Sequence, residues 1–189
     1  MSDKLFSLSR RHDKLKLIEH QVITGLSQNA YISLGSNTGD RAGNLLLGVR
    51  GMLDAGLEVI RLSHIYETEP VETFSQPLFL NQVAELRGSA LPPPETVMAR
   101  LLRIEYALGR RREVEKGPRP IDLDLLLQGN YTNDSAFLTL PHPRLHARRF
   151  VLQPLSELAP GLVHPFLRKT ISELLEEVDD GSIVKLWKP

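Results

Sequence analysis

Two aspartates, Asp122 and Asp124, interrupt the otherwise apolar segment GPRPIDLDLLLQG (residues 117–129). Side chains two residues apart in a β-strand point to the same face, so this spacing brings both carboxylates together. The opposite face is predicted to carry Ile121, Leu123, Leu125 and Leu127. Aspartate is disfavoured in strands, so two aspartates on one face suggest a requirement that outweighs their low strand propensity. An isolated pair of this kind is most often a solvated sheet face, so the neighbouring residues must decide its meaning.

Basic residues are concentrated on both sides of this strand. The segment GRRREVEKGPR (109–119) holds five basic and two acidic residues, and PHPRLHARRF (141–150) holds three arginines, two histidines and no acid. Mg²⁺ takes oxygen ligands from one or two carboxylates and from substrate phosphates, and arginine presents a fork of donors to the remaining phosphate oxygens. The combination indicates a local site for a nucleotide polyphosphate.

The loop at residues 109–120 contains Gly109, Gly117, Pro118 and Pro120 and is not expected to form a regular element. Such a loop could close over bound phosphates and exclude water, or it could be an ordinary basic surface connection. The chain contains neither a G-x-x-x-x-G-K-[ST] nor a G-x-G-x-x-G segment. Phosphates would therefore be held by side chains and a metal rather than by a glycine cradle.

The elements that must position these residues follow a β-α-β-β-α-β order. Apolar periodicity predicts strands at 30–35, 57–68, 79–88 and 121–128 and helices at 41–55 and 92–108. This order is typical of an α+β, ferredoxin-like fold with an antiparallel sheet and two helices on one face. Two further helical segments, 147–158 and 170–178, are expected to add a third layer, α/β/α. We predict a single domain at 29–189 after an N-terminal extension at 1–28.

Composition excludes several functional classes. Lys plus Arg and Asp plus Glu both number 23 in the 189 residues, whereas domains that grip nucleic acid are usually strongly basic. The absence of cysteine removes thiolate and disulfide chemistry. Because no apolar run approaches the length of a membrane span and no secretory signal is recognisable, we expect a cytoplasmic protein that binds neither membrane nor nucleic acid.

Four separated motifs resemble one enzyme family. They are YISLGSN (31–37), YETEPV with QPLFLNQV (66–83), GPRPIDLDLLL (117–127) and LPHPRLHARRFVLQPLSELAP (140–160). In this order they are similar to the 6-hydroxymethyl-7,8-dihydropterin pyrophosphokinases of folate biosynthesis. The resemblance implies transfer of pyrophosphate from ATP to the pterin hydroxymethyl group, giving AMP and the pterin diphosphate, with two Mg²⁺ ions.

The resemblance also implies roles for individual residues. Asp122 and Asp124 correspond to metal ligands, and Arg110 and Arg119 to catalytic arginines that meet the transferred group. The nucleotide and phosphate contacts would be Arg112, Leu125, Thr139, His142 and Arg148. The pterin contacts would be Thr68 and Asn81, with the aromatic pair Phe79 and Phe150.

The physical chemistry of these residue types agrees with such roles. Two aromatic rings can cover both faces of a flat pterin, and an amide such as Asn81 offers both donor and acceptor to the ring edge. For either phenylalanine taken singly, a place in the core is the favoured interpretation. His142 is a candidate base, but its position among prolines and arginines favours a hydrogen bond to phosphate. Two positions depart from the family pattern, Glu72 and Lys116.

Competing interpretations come from three classes. Another Mg²⁺-dependent phosphotransferase would need the aspartates and arginines but has no reason to combine Phe79, Asn81 and Phe150. An RNA-binding module shares the fold class but predicts aromatic motifs on the central strands and a basic sheet face. A partner-binding module would leave the basic cluster without a ligand. Nothing in the sequence demands a dimer, so a monomer is the default expectation.

Overall fold

A six-stranded antiparallel sheet forms the centre of the molecule. The computed structural model describes residues 28–70, 76–111 and 117–188. The sheet contains β1 (Ala30–Ser36), β2 (Val59–Leu62), β3 (Tyr66–Thr68), β4 (Phe79–Leu86), β5 (Asp122–Gln128) and β8 (Val184–Leu186). Its order is β5-β1-β4-β3-β8, and β2 also pairs with β4. A separate two-stranded ribbon is made by β6 (Asn133–Asp134) and β7 (Thr139–Leu140).

Helices cover both faces of the sheet. On one face, α1 (Arg41–Asp54) and α2 (Pro94–Ala107) bury a core that includes Met52 and Leu101. On the other, α3 (Arg149–Leu158) and α4 (Ile171–Glu177) bury a second core that includes Leu155. Short 3₁₀ turns lie at Gly88–Ala90 and Leu145–Ala147. The predicted ferredoxin-like, three-layer fold is therefore confirmed.

Local chemistry explains where the helices on the first face begin and end. The side chain of Asp40 accepts the backbone N–H of Gly43 at 2.9 Å and so caps α1. Helix α2 starts with proline at its first position, where no N–H is needed. Its last helical residue is Ala107, and Gly109, which follows the C-cap residue Leu108, has a φ of 90°, a left-handed value that glycine adopts without strain. The N–H of Arg110 then bonds the carbonyl of Glu105 at 3.0 Å, which turns Arg110 back towards the sheet.

Two strand predictions are corrected by the structure. The expected strand at 57–68 is divided into β2 and β3, with Ser63, His64 and Ile65 between them. The register between β1 and β5 also shifts, because Tyr31 pairs with Leu127 but Ile32 pairs with Leu125. Leu127 therefore packs in the second core instead of sharing a face with Leu125. The extra residue of this β-bulge reverses the alternation after Leu125.

The remaining expectations concern the ends of the chain and membranes. Residues 1–27 of the predicted N-terminal extension lie outside the described residues. Within the described ranges, none of the helices is long and apolar enough to cross a membrane.

Candidate active site

The central strand β1 brings the two predicted halves of the site together. Gly35 on β1 pairs with Asn81 on β4 at one side and with Asp122 on β5 at the other. Ser33, two residues earlier on the same strand, pairs with Asp124. The predicted pterin residue Asn81 and the predicted metal residue Asp122 thus lie on the two strands that flank Gly35.

An open cleft lies over these strands. Eight of the predicted site residues line it: Thr68, Phe79, Asn81, Arg119, Asp122, Asp124, Arg148 and Phe150. The lining also includes Ser33, Gly35, Glu69, Pro70, Gln76 and Arg144. Residues from five separate stretches of the chain therefore meet at one concave surface.

Asp122 is held by two arginines. Arg119 Nη2 lies 2.6 Å from Asp122 Oδ2, and Arg110 Nη1 is hydrogen-bonded to Asp122 Oδ1. Burial alone would raise the pKa of Asp122, but the attraction of Arg119 and Arg110 outweighs it and lowers the pKa below its ordinary value. Asp122 is accordingly ionised and positioned at neutral pH.

Asp124 is in a different electrostatic position. Burial, followed by repulsion from Asp122, raises the pKa of Asp124 to about 6, although Arg148, Arg110 and Arg119 partly oppose the rise. His142 Nε2 lies 4.0 Å from Asp124 Oδ2. The negative charge of the pair is therefore incompletely compensated by the protein, which is the state that a bound cation would relieve.

The carboxylates of Asp122 and Asp124 suit a cation that also keeps several water or phosphate ligands. Among the described residues, no group of three or more histidines, aspartates and glutamates is arranged to hold a metal ion. Mg²⁺ commonly uses only one or two protein carboxylates and completes its octahedron with water and phosphate oxygens. Asp122 and Asp124 match that requirement, whereas they do not match an all-protein cage.

His142 is placed as a neutral hydrogen-bond donor. Burial, then the positive charges of Arg148 and Arg144, lower the pKa of His142 to about 4. The backbone N–H of Arg144 donates to His142 Nδ1 at 3.2 Å. A neutral ring that accepts at Nδ1 carries its proton on Nε2, the nitrogen nearest Asp124. This arrangement supports the predicted phosphate hydrogen bond and disfavours a general base.

Arg110 is anchored from behind by a residue that the sequence analysis did not assign to the site. Glu105, which is 3% exposed, accepts the backbone N–H of Leu123 at 2.7 Å through Oε1, and the same oxygen accepts Arg110 Nη1. Burial raises the pKa of Glu105 to about 7 against the opposing attraction of Arg110. The available signal was a carboxylate standing in the apolar helical series Met98, Leu101, Leu108.

Arg119 reaches the cleft from the loop before β5. Its guanidinium lies 5.2 Å from the centre of the Phe79 ring, and its Nη2 pairs with Asp122. Within the described part of the chain, the buried Arg119 Nε has no hydrogen-bond partner. A buried guanidinium nitrogen of this kind is suited to an anionic ligand oxygen in the cleft.

The predicted pterin residues form the other end of the cleft. Asn81 Nδ2 donates to Thr68 Oγ1 at 2.7 Å, and each residue is only 3% exposed. Phe79 and Phe150 are both half-buried and both line the cleft. Arg148 lies 5.4 Å from the centre of the Phe150 ring. The two phenylalanines are therefore available to a ligand and are not sealed in the core.

Leu125 and Thr139 are predicted nucleotide residues that do not line the cleft. Leu125 is 2% exposed in the core beneath α1 and α2 and does not belong to the cleft lining. Thr139 is half-buried on β7 and is also absent from that lining. Arg112 lies outside the described residues, as do the departures Glu72 and Lys116 and much of the loop expected to close over phosphates. The contacts of Leu125, Thr139 and Arg112 with a nucleotide remain predictions.

Two residues of the motif YISLGSN, Gly35 and Asn37, were not assigned to the site from the sequence. Gly35 lies within β1, and a glycine inside a strand often marks close approach of a ligand or backbone. Asn37, which is 1% exposed, accepts the backbone N–H of Arg119. The signal that could have identified both was a glycine and an asparagine at the end of a buried strand.

Comparisons with known proteins agree with the geometry. Residues 31–160 match the family described as 7,8-dihydro-6-hydroxymethylpterin-pyrophosphokinase. The 2-amino-4-hydroxy-6-hydroxymethyldihydropteridine pyrophosphokinase of Synechocystis sp. is 42% identical over 151 residues, covering 79% of this chain and 76% of that protein. The protein of the same name from Bacillus subtilis is 38% identical, covering 84% of this chain and 90% of that protein.

Other relatives are much longer than the matched region. The folic acid synthesis protein fol1 of Pneumocystis carinii is 38% identical over 83% of this chain, but the chain spans only 21% of its length. A crystal structure of wild-type HPPK-DHPS from Plasmodium falciparum with pteroate has a TM-score of 0.60 at 14% identity. It covers 79% of this chain, which spans 42% of the Plasmodium chain. At that identity the structural likeness speaks for the fold alone.

Proposed function

Because the chain belongs to the 7,8-dihydro-6-hydroxymethylpterin-pyrophosphokinase family, we propose that it transfers pyrophosphate from ATP to 6-hydroxymethyl-7,8-dihydropterin. The products would be AMP and 6-hydroxymethyl-7,8-dihydropterin diphosphate, in the synthesis of tetrahydrofolate. The observation that carries the proposal is the register of β1, which sets Asn81 and Asp122 on either side of Gly35 in one cleft.

The pterin would lie at the Asn81 end of this cleft. Phe79 and Phe150 would cover the two faces of the ring, at about 0.5–1.5 kcal/mol for each favourable aromatic contact beyond burial. Since Asn81 donates to Thr68 through Nδ2, its Oδ1 would be the acceptor offered to the ligand. A ring that left this buried amide unpaired would be disfavoured.

The polyphosphate would lie at the aspartate end. The arginines of the lining, Arg119, Arg144 and Arg148, would donate to phosphate oxygens, together with His142 through Nε2. We propose that Asp122 and Asp124 hold Mg²⁺, with two ions expected. When bound, Mg²⁺ would neutralise the charge of the phosphates and fix their geometry.

The reaction joins the hydroxymethyl oxygen of the pterin to the β phosphorus of ATP. The bond between that phosphorus and the α–β bridging oxygen breaks, AMP leaves, and the hydroxyl proton is released. Phosphoryl-type transfer depends mainly on alignment and charge stabilisation, so a strong dedicated base is not required. Arg110 and Arg119, both held on Asp122, would orient the transferred group.

The competing interpretations are less well supported by the geometry. An RNA-binding sheet needs an open, basic face, whereas both faces of this sheet carry helices and the cleft centres on two aspartates. A phosphotransferase for another alcohol would not need the two phenylalanines to face the cleft beside Asn81. We also propose that the protein is a cytoplasmic monomer.

The test is to incubate the purified protein with Mg²⁺, the pterin and ATP labelled at either the β or the γ phosphorus. Both labels should appear in the pterin product, with one AMP formed for each product molecule. Asp122→Asn should abolish turnover, whereas Asp179→Asn, at an exposed position of the second helical layer, should not. Transfer of the γ label alone, with release of ADP, would contradict the proposal.

A further inference from the structure

Gly35 lies at the junction of the two halves of the cleft. It is on the central strand β1, paired with Asn81 on β4 and with Asp122 on β5, and it is part of the cleft lining. Ser33, the next residue on the same face of the strand, also belongs to the lining. A side chain at residue 35 would therefore lie on the floor of the cleft.

The backbone does not require glycine at this position. Glycines with positive φ in the described part of the chain are Gly39, Gly56, Gly109 and Gly129, and Gly35 is not among them. Glycine in the interior of a strand weakens it, since it is flexible and has no side chain to pack. The reason for glycine must therefore be sought in the space above the strand.

That space is bounded by residues of both subsites. A Cβ atom on Gly35 would lie 3.1 Å from Asn81 Oδ1, 3.7 Å from Asp122 Cβ and 3.8 Å from Phe79 Cδ1. The first distance is tighter than an ordinary contact, so the amide would have to move. Asn81 is buried and donates to Thr68 at 2.7 Å, which opposes that movement.

We propose that Gly35 is a specificity-determining residue, and this inference rests on the proposed function. The missing side chain leaves the cleft floor open between Asn81 and Asp122. The edge of the flat pterin ring can then lie directly on the backbone of β1, with its hydroxymethyl group directed towards the aspartates. Any side chain would displace the amide acceptor and fill the path of the ring edge.

The experiment compares Gly35→Ala and Gly35→Ser with the wild type. Pterin affinity is measured by direct titration, affinity for a non-hydrolysable ATP analogue with Mg²⁺ is measured separately, and KM and kcat are determined for the pterin. Gly35→Ala should raise both the Kd and the KM for the pterin by about tenfold or more, and Gly35→Ser should raise them further. The affinity for the ATP analogue should change by less than about twofold.

Gly161→Ala provides the matched control. A Cβ atom there meets nothing within 4 Å and the residue has no positive φ, so its pterin Kd should equal that of the wild type. An unchanged pterin Kd in Gly35→Ala would overturn the inference, as would an equal loss of affinity for pterin and nucleotide. Because the titration does not depend on turnover, these results separate failure of the inference from failure of the proposed reaction, which the AMP and label measurements test.

Discussion

Asn37 and Arg119 are joined by two hydrogen bonds that connect the end of β1 to the loop before β5. The backbone N–H of Arg119 donates to Asn37 Oδ1 at 2.7 Å, and the backbone N–H of Asn37 donates to the carbonyl of Arg119 at 3.2 Å. Asn37 Nδ2 also donates to Gln76 Oε1 at 3.1 Å. One buried amide at the end of β1 thus fixes the loop from which Arg119 reaches Asp122.

Replacing Asn37 should impair turnover by releasing that loop. Asn37→Ala leaves the N–H of Arg119 without its acceptor, a cost of about 1–3 kcal/mol, which expressed in the transition state corresponds to a loss of about 5- to 150-fold in kcat/KM. Asn37→Asp keeps an acceptor oxygen and should retain more activity. Steady-state kinetics on both variants, with Gly161→Ala as control because a Cβ atom there meets nothing within 4 Å, measure the difference. Equal losses in Ala and Asp variants would contradict this role.

Glu105 should contribute to stability and to the placement of Arg110. Glu105→Ala removes the acceptor of the Leu123 N–H and one partner of Arg110, so we expect the free energy of unfolding to fall by about 3 kcal/mol. Glu105→Gln keeps an oxygen for the N–H of Leu123 and should cost less. Urea unfolding of both variants measures the change. If Glu105→Ala unfolds at the wild-type urea concentration, the anchoring role is wrong.

His142 should stay neutral throughout the physiological range. Its pKa is lowered to about 4, chiefly by burial and then by Arg148 and Arg144, and Nδ1 accepts a backbone N–H. Nitrogen-detected NMR should find the proton on Nε2 and no titration of this ring above about pH 5. His142→Gln, which can place a donor near the Nε2 position, should retain more activity than His142→Ala. A ring that titrates near pH 6.5 would contradict the assignment.

Asp124 should destabilise the metal-free protein as pH rises. Its pKa is raised to about 6 by burial and then by Asp122, so its protonated form is favoured in the folded state. Its favourable contribution to the free energy of unfolding is therefore complete below about pH 3.9, the pKa of aspartate in the unfolded chain. That contribution is lost as pH rises through about 6.

Asp124→Asn removes this pH dependence at the cost of activity. We expect it to stabilise the metal-free protein at pH 8 by about 1 kcal/mol, a figure reduced because the side chain is 36% exposed. The same variant should lose turnover. Thermal unfolding at pH 5 and pH 8, with Asp179→Asn as control, provides the measurement. Equal destabilisation of Asp124→Asn at both pH values would contradict the prediction.

Much of the site could be predicted from the sequence because its residues lie in short segments with a recognisable periodicity. The period of two along β5 placed Asp122 and Asp124 together, and the structure keeps both in the cleft. The bulge that moves Leu127 to the second core was not readable, because a register shift arises from pairing with β1. Glu105 and Asn37 were missed for a related reason, since their partners, at Leu123 and Arg119, are distant in sequence.

Local patterns along the chain were sufficient to specify the β-α-β-β-α-β order of the core, the glycine that terminates α2 and the shared face of the two aspartates, because each depends on local periodicity or backbone conformation. The placement of Asn81 and Asp122 on either side of Gly35, and the sharing of Arg110 between Glu105 and Asp122, are set by the folding of the whole chain. Those relationships depend on cross-strand register and on the packing of α2 against β5. Such contacts join residues far apart along the chain, where no local pattern specifies which groups will meet.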